Sequence, residues 1–248
     1  RKFLAGFTEY LKAAKVSTKA VKESDRTLAQ GTQWNYFNKL NLLLNKAERE
    51  EIIPFNPVDR LEKGERPQRA DPRCTFLVLD EVKRLADTPF RMDKLKRAFL
   101  FACLCGLRIS DVRSLQWSSF QQDSKGNTIA KLTQKKTKSI LYLPISPEAL
   151  KQLPPKGNDV DLVFGKLPDN SYIDKLLKIW AKDARITKNL TFHVSRHTFA
   201  TLSITYGAEL YTVSKLLGHA DIKTTQIYAD VINEKKRDAV NSIPSIMD

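Results

Sequence analysis

A ten-residue run without a polar side chain, Ala98 to Leu107 (AFLFACLCGL), constrains this chain more than any other stretch. A helix that is apolar all round has to be surrounded by the rest of its domain. The run is too short for a bilayer, which needs about 20 such residues. It therefore reads as the buried helix of a globular core, spanning about residues 93 to 105. Gly106 ends it, and Leu107-Arg108-Ile109-Ser110-Asp111-Val112 begins another turn of helix. Arg108 is thus held by the core at its base while its head group is directed into a cleft. Asp111, three residues on, is placed either to orient that guanidinium or to form a structural pair with it.

The flanking segments supply what surrounds such a helix. Residues 1 to 53 read as helical: Phe3, Leu4, Phe7, Tyr10 and Leu11 recur at helical spacing. Trp34, Phe37, Leu40, Leu43, Leu44 and Ala47 then mark one face of a second long helix, whose other positions carry Lys39, Lys46 and Arg49. Pro54, Pro57, Gly64, Pro67 and Pro72 break the pattern within a charged segment, which marks a linker. The expected division is a helical domain over 1–66, a linker over 67–73 and a second domain over 74–248. In the second domain Thr75 to Val82 reads as an N-capped helix. Trp117–Phe120, Thr128–Thr133 and Ile140–Pro144 read as short strands, the last two joined by the basic loop QKKTKS. Helical patterns resume at about 171–184, 191–206, 210–217, 222–229 and 233–241. The expected class is mainly α with one small antiparallel sheet.

The charge balance narrows the partners. Lys plus Arg number 42 against 28 Asp plus Glu, a formal net charge of +14. That excess suits a polyanion, either nucleic acid or an anionic membrane surface; a solvated basic surface with no partner is the plainer alternative. Three cysteines, two of them inside the apolar run, suit a reducing cytosol and not a disulfide scaffold. No secretory signal or transit peptide is visible, and a first residue of Arg1 in place of Met is consistent with a fragment.

All three histidines fall between Thr191 and Asp230, and Tyr228 lies nine residues past His219. His193 and His197 at i and i+4 could ligate zinc, but a helical zinc protease would need Glu where Val194 stands. His193 and Arg196 at i and i+3 share one helix face, where two donors suit a phosphate. The plainer alternative is a histidine and an arginine merely satisfied at a helix end. Lys135 and Lys136 lie in a turn between strands, either as a solvent-exposed hairpin tip or as a proton donor to an oxygen leaving group. Gly218 reads as a helix C-cap and Asp221 as the next N-cap. Tyr228 could pack in the core; as a nucleophile it would need its proton removed and its oxyanion stabilised.

Taken together these residues resemble the tyrosine recombinase, or phage integrase, family. The likeness rests on Arg108 in GLRISD, Lys136 in TQKKTKS, His193 and Arg196 in HVSRHTFAT, His219 in LLGHADIKTTQIYAD, and Tyr228. It covers about residue 73 to the end, and more loosely residues 1 to 65 as a helical core-binding domain. The resemblance implies that Tyr228 attacks a DNA phosphodiester to give a 3′-phosphotyrosyl bond. Arg108 and Arg196, assisted by His219, would hold the non-bridging oxygens. His193 would assist at the tyrosine, Lys136 would protonate the leaving 5′-oxygen, and Asp111 and His197 would support from behind. No metal or cofactor is implied. The partners implied are double-stranded DNA attachment sites, a homo-tetrameric synapse and DNA-bending accessory proteins, with no membrane. The implied setting is cytoplasmic, at the nucleoid of a prokaryote and encoded by a phage or other mobile element. Lys39, Lys46, Arg49, Lys223 and Thr224 are the expected DNA contacts. A type IB topoisomerase and Xer-like dimer resolution are the alternative activities.

Overall fold

The structure, a computed structural model, describes residues 2–16, 26–69, 74–135 and 138–231. The chain divides into two compact units, Arg1–Pro72 and Arg73–Asp248.

The first unit pairs α1 (Lys2–Ala13) with α2 (Gln30–Arg49). Leu4 and Leu11 from α1 and Phe37 from α2 are buried with Val58 and Leu61, and Phe7, Leu28, Leu40 and Leu44 pack around them. The inward face of α2 is narrower than its periodicity predicts. Phe37, Leu40 and Leu44 turn in, whereas Leu43 is 66% exposed because it lies one position off that stripe. Asn56, buried in the following segment, accepts from Val58 N and donates to Asn41 Oδ1 at 2.9 Å, which ties the segment back onto α2.

The second unit is built around the apolar run. α3 (Leu79–Asp87) precedes α4 (Asp93–Cys105), and every residue of α4 from Ala98 to Cys103 is buried. α3 starts later than Thr75. Its first turn is closed by the Glu81 carboxylate, which accepts from Val78 N at 2.8 Å. After α5 (Ile109–Val112) comes a meander of β1 (Phe120–Gln122), β2 (Thr128–Thr133) and β3 (Ile140–Pro144), antiparallel in the order β1-β2-β3. Ala130 pairs with Phe120 on one side and Leu143 on the other. Leu141 and Leu143 face the core while Ile140, Tyr142 and Pro144 face out, the alternation of a half-buried sheet. The strand expected at Trp117–Phe120 is displaced, since Trp117–Ser119 forms a 3-10 turn and only Phe120 belongs to β1. Trp117 N and Ser118 N donate to Asp161 O and Asp159 O, so this backbone is paired with a later loop.

The short α6 (Pro147–Leu150) leads to α7 (Asn170–Asp183), α8 (Phe192–Thr205), α9 (Leu210–Leu217) and α10 (Lys223–Val231). The expected helix at 233–241 lies outside the described residues. α8 packs along α4, and Phe99 meets Phe192 and Trp180 edge-on, each at 5.8 Å between centroids. A second buried cluster joins Ala200 of α8, Val213 and Leu217 of α9 and Tyr228 of α10. The two clusters fix α8 between the core helix and the helix that carries the tyrosine. Among the described residues no helix is long and apolar enough to cross a membrane.

Candidate active site

The end of α4 positions the first arginine. Gly106 adopts φ +73, and a Cβ there would come within 2.4 Å of Phe199 Cδ1, so only glycine turns the chain at this point without strain. Two residues later Arg108 stands at the start of α5 with its Nη1 4.0 Å from Asp111 Oδ2. Both atoms are buried and neither makes a hydrogen bond among the described residues. Asp111 is committed on its other oxygen, where Oδ1 accepts from Lys135 N at 3.1 Å and from Ser110 Oγ at 3.3 Å. A buried guanidinium nitrogen with its donor capacity unused is costly unless an anion meets it.

The second arginine is held more tightly. Arg196 projects from the middle of α8 and is 2% exposed. Its Nη1 donates to Gly106 O at 2.8 Å and its Nη2 to Leu217 O at 2.7 Å. These carbonyls close α4 and α9, and a cation suits the negative end of a helix dipole. One side chain therefore ties both helix ends together. Burial first, and then the charge of Arg108, lowers the Arg196 pKa to about 10, which leaves it charged at neutral pH.

Tyr228 lies against this assembly, 2% exposed, with its hydroxyl 2.9 Å from His197 Nδ1. The His197 tautomer with its proton on Nε2 accepts the phenol's hydrogen. Burial pushes Tyr228 up to about 12, against the lowering pull of the Arg196 and Arg108 charges. His197 is brought down to about 4 by burial and by its neighbours His193 and Arg196, so it is neutral at pH 7. His219 falls to about 4 as well, through burial and then the two arginines, and its Nδ1 meets Thr225 Oγ1 at 2.8 Å. His193 is exposed on the first turn of α8, its ring perpendicular to that of His197 with centroids 4.5 Å apart.

Five of the sequence-predicted residues, Arg108, Arg196, His197, His219 and Tyr228, thus form one electrostatically connected group, and Asp111 sits behind Arg108. The group seen on the tyrosine hydroxyl is His197, one turn further along α8 than the His193 of the expectation. His193 lies on the exposed first turn of α8, next to His197. Lys136 lies outside the described residues; the adjoining Lys135 is exposed. Lys223 and Thr224 are exposed at the start of α10, where Asp221 Oδ1 caps Lys223 N. Lys39, Lys46 and Arg49 are exposed on α2 in the first unit, with Lys39 over the Tyr36 ring and Lys46 paired to Glu50 at 3.5 Å. Two buried polar residues escaped sequence reasoning, Gln134 and Thr225, each fully excluded from solvent. Neither carries a charge or a recognisable spacing, so no local signal marked them. Among the described residues no three His, Cys, Asp or Glu side chains are grouped to hold a metal ion.

The sequence profile of the phage integrase family matches residues 75–235, and that of the phage integrase SAM-like domain matches residues 1–64. The chain is 30% identical to the tyrosine recombinase XerD of Lacticaseibacillus casei, over 86% of this chain and 77% of that one. It is 27% identical to a tyrosine recombinase of Pseudothermotoga lettingae, over 95% of this chain and 80% of that one. The solved Tn1549 transposon integrase in complex with a circular intermediate DNA superposes with a TM-score of 0.64 at 17% identity, over 95% of this chain and 84% of that one. At that identity the likeness is one of fold. The profile over most of the second unit, and a relative matched along most of its length, establish that the chain belongs to the phage integrase family, the tyrosine recombinases.

Proposed function

We propose that this protein is a site-specific DNA recombinase that cleaves and rejoins strands through a 3′-phosphotyrosyl intermediate, with Tyr228 as nucleophile. The observation that carries the reading is the 2.9 Å contact between the Tyr228 hydroxyl and a neutral His197 beside the charge of Arg196. Attack breaks the phenolic O–H bond, and its proton passes to His197 Nδ1 as the oxygen bonds to phosphorus. The P–O5′ bond breaks, and the departing 5′-oxygen takes a proton from Lys136. A phenol near 12 and an imidazole near 4 are poorly matched as they stand. An anionic phosphodiester raises the pKa of nearby imidazoles, which narrows that gap from the histidine side. His193, whose ring centroid lies 4.5 Å from that of His197, assists the proton transfer at the tyrosine.

The guanidinium groups of Arg108 and Arg196 hold the non-bridging oxygens, with His219 as a third donor. Because Arg196 is fixed by two helix ends before substrate arrives, charge growing on phosphorus meets donors that need no rearrangement. Asp111 holds Arg108 from behind. The bond energy kept in the phosphotyrosine allows a second 5′-hydroxyl to reverse the step, which exchanges strands without ATP.

The partner in this reading is a double-stranded attachment site. The first unit serves as the core-binding domain, with Lys39, Lys46 and Arg49 on phosphates, and Lys223 and Thr224 contact DNA beside the nucleophile. Four protomers form the synapse, aided by DNA-bending proteins, and the setting is the cytoplasm of a prokaryote carrying the mobile element. Two directly repeated target sites on a supercoiled plasmid test the activity. Deletion of the intervening segment is the expected product; loss of supercoils without exchange would instead indicate a type IB topoisomerase.

A further inference from the structure

The hairpin between β2 and β3 ends in a dipeptide that touches the supports of both arginines. Gln134 is 0% exposed, and its Nε2 donates to Leu217 O at 3.2 Å. That same carbonyl accepts from Arg196 Nη2, so its two lone pairs serve one donor from the hairpin and one from α8. Lys135 N donates to Asp111 Oδ1, and the other oxygen of Asp111 faces Arg108. The residue after Leu217 is shaped by the same contact. Gly218 sits at φ +63, and a Cβ on it would fall 2.5 Å from both Nε2 and Oε1 of Gln134. His219 follows directly, with its backbone N–H donating to Ser214 O at 3.0 Å.

Gln134 is itself fixed from several sides. Its backbone N–H donates to Ser139 O, its carbonyl accepts from Lys138 N, each at 2.9 Å, and its Oε1 accepts from Ser139 Oγ at 3.4 Å. A buried amide with this many partners has one geometry available to it. The turn that presents His219, and the carbonyl that anchors Arg196, both rest on that amide.

We infer that Gln134 is a positioning residue for strand cleavage: its amide fixes the Leu217–Gly218–His219 turn, and through the Leu217 carbonyl it sets the Arg196 guanidinium for the phosphate. This rests on the proposed phosphoryl-transfer role of Arg196. The hairpin thereby aligns the arginine and histidine of the α8–α9 region as well as carrying its own lysines.

The test compares adduct formation by the full chain on a nicked duplex with the ordinary phosphodiester and with a methylphosphonate at the cleaved position. A methylphosphonate lacks one non-bridging oxygen and its charge, so it depends less on a well-placed guanidinium. Gln134→Met and Gln134→Leu are both close in size, and neither can donate to Leu217 O. Each is expected to slow cleavage of the phosphodiester by about 10- to 100-fold, in the range for a misplaced catalytic group. On the methylphosphonate the deficit should shrink, as it should for Arg196→Ala, while the thermal midpoint of whichever variant folds stays close to wild type. Cleavage at the wild-type rate would overturn the inference, and so would an equal loss on both substrates while Arg196→Ala is relieved. If the wild type forms no adduct, or Arg196→Ala is not relieved, the reading of the site itself fails.

Discussion

At the scale of single residues, the histidine on the tyrosine is the most consequential finding. His197→Ala should slow adduct formation by about 10²- to 10⁴-fold, the range for loss of a proton acceptor. His197→Asn keeps a hydrogen-bond acceptor near the place of Nδ1 but takes no proton, so it should recover only part of that loss. Full recovery in single-turnover cleavage would reduce His197 to a positioning role. The same side chains give a stability signature. His197 and His219 titrate near 4 in the folded chain against about 6.5 unfolded, so the unfolded state binds protons first as pH falls. Thermal stability should therefore decline between about pH 6.5 and 4, more gently in His197→Gln, and an unchanged slope would count against the assigned shifts. Charge and spacing singled out Arg108, Arg196, His219 and Tyr228 but left each a structural alternative, and the family resemblance assigned their roles. His193 and His197 were ranked by the resemblance alone. Which of two histidines on one helix reaches a buried phenol depends on how α10 packs, and no local spacing encodes that.

At the scale of elements, the limits of α4, α8 and α9 follow from the apolar run, the Thr191–Asp230 pattern and glycines that end helices with positive φ. Gly106→Ala tests the first of these ends. A Cβ there would meet Phe199 at 2.4 Å and Leu217 at 2.9 Å, on top of a left-handed φ. The cost should be roughly 2–5 kcal/mol from strain plus overpacking. Gly126 supplies the comparison, since it has φ +81 with nothing within 4 Å. Gly126→Ala should cost only about 1–2 kcal/mol, and equal shifts in denaturant midpoint for the two would contradict the packing account. Sequence pattern failed where tertiary partners decide the backbone. Trp117 reads as strand by composition, yet its N–H is claimed by Asp161 O. Leu43 reads as core, yet the stripe of α2 covered by α1 is too narrow to include it.

At the scale of the whole molecule, the excess of 14 positive charges is the feature that composition alone made legible. If the partner is duplex DNA, log K should fall linearly with log salt, with a slope near −0.9 for each phosphate contacted. Replacing Lys39, Lys46 or Arg49 by Gln should each reduce that slope by about 1, whatever the DNA sequence. A slope unchanged in all three would remove α2 from the interface. The central claim, that Tyr228 is the nucleophile of a covalent DNA intermediate, has its own measurement. The full chain is incubated with nicked duplexes of randomised sequence around the nick, adducts that survive SDS are recovered, and the attached peptide is identified by mass spectrometry. The account predicts a nucleotide on Tyr228, joined through a 3′-phosphate, and no adduct from Tyr228→Phe. An adduct on another residue, or one that persists in Tyr228→Phe, would contradict it.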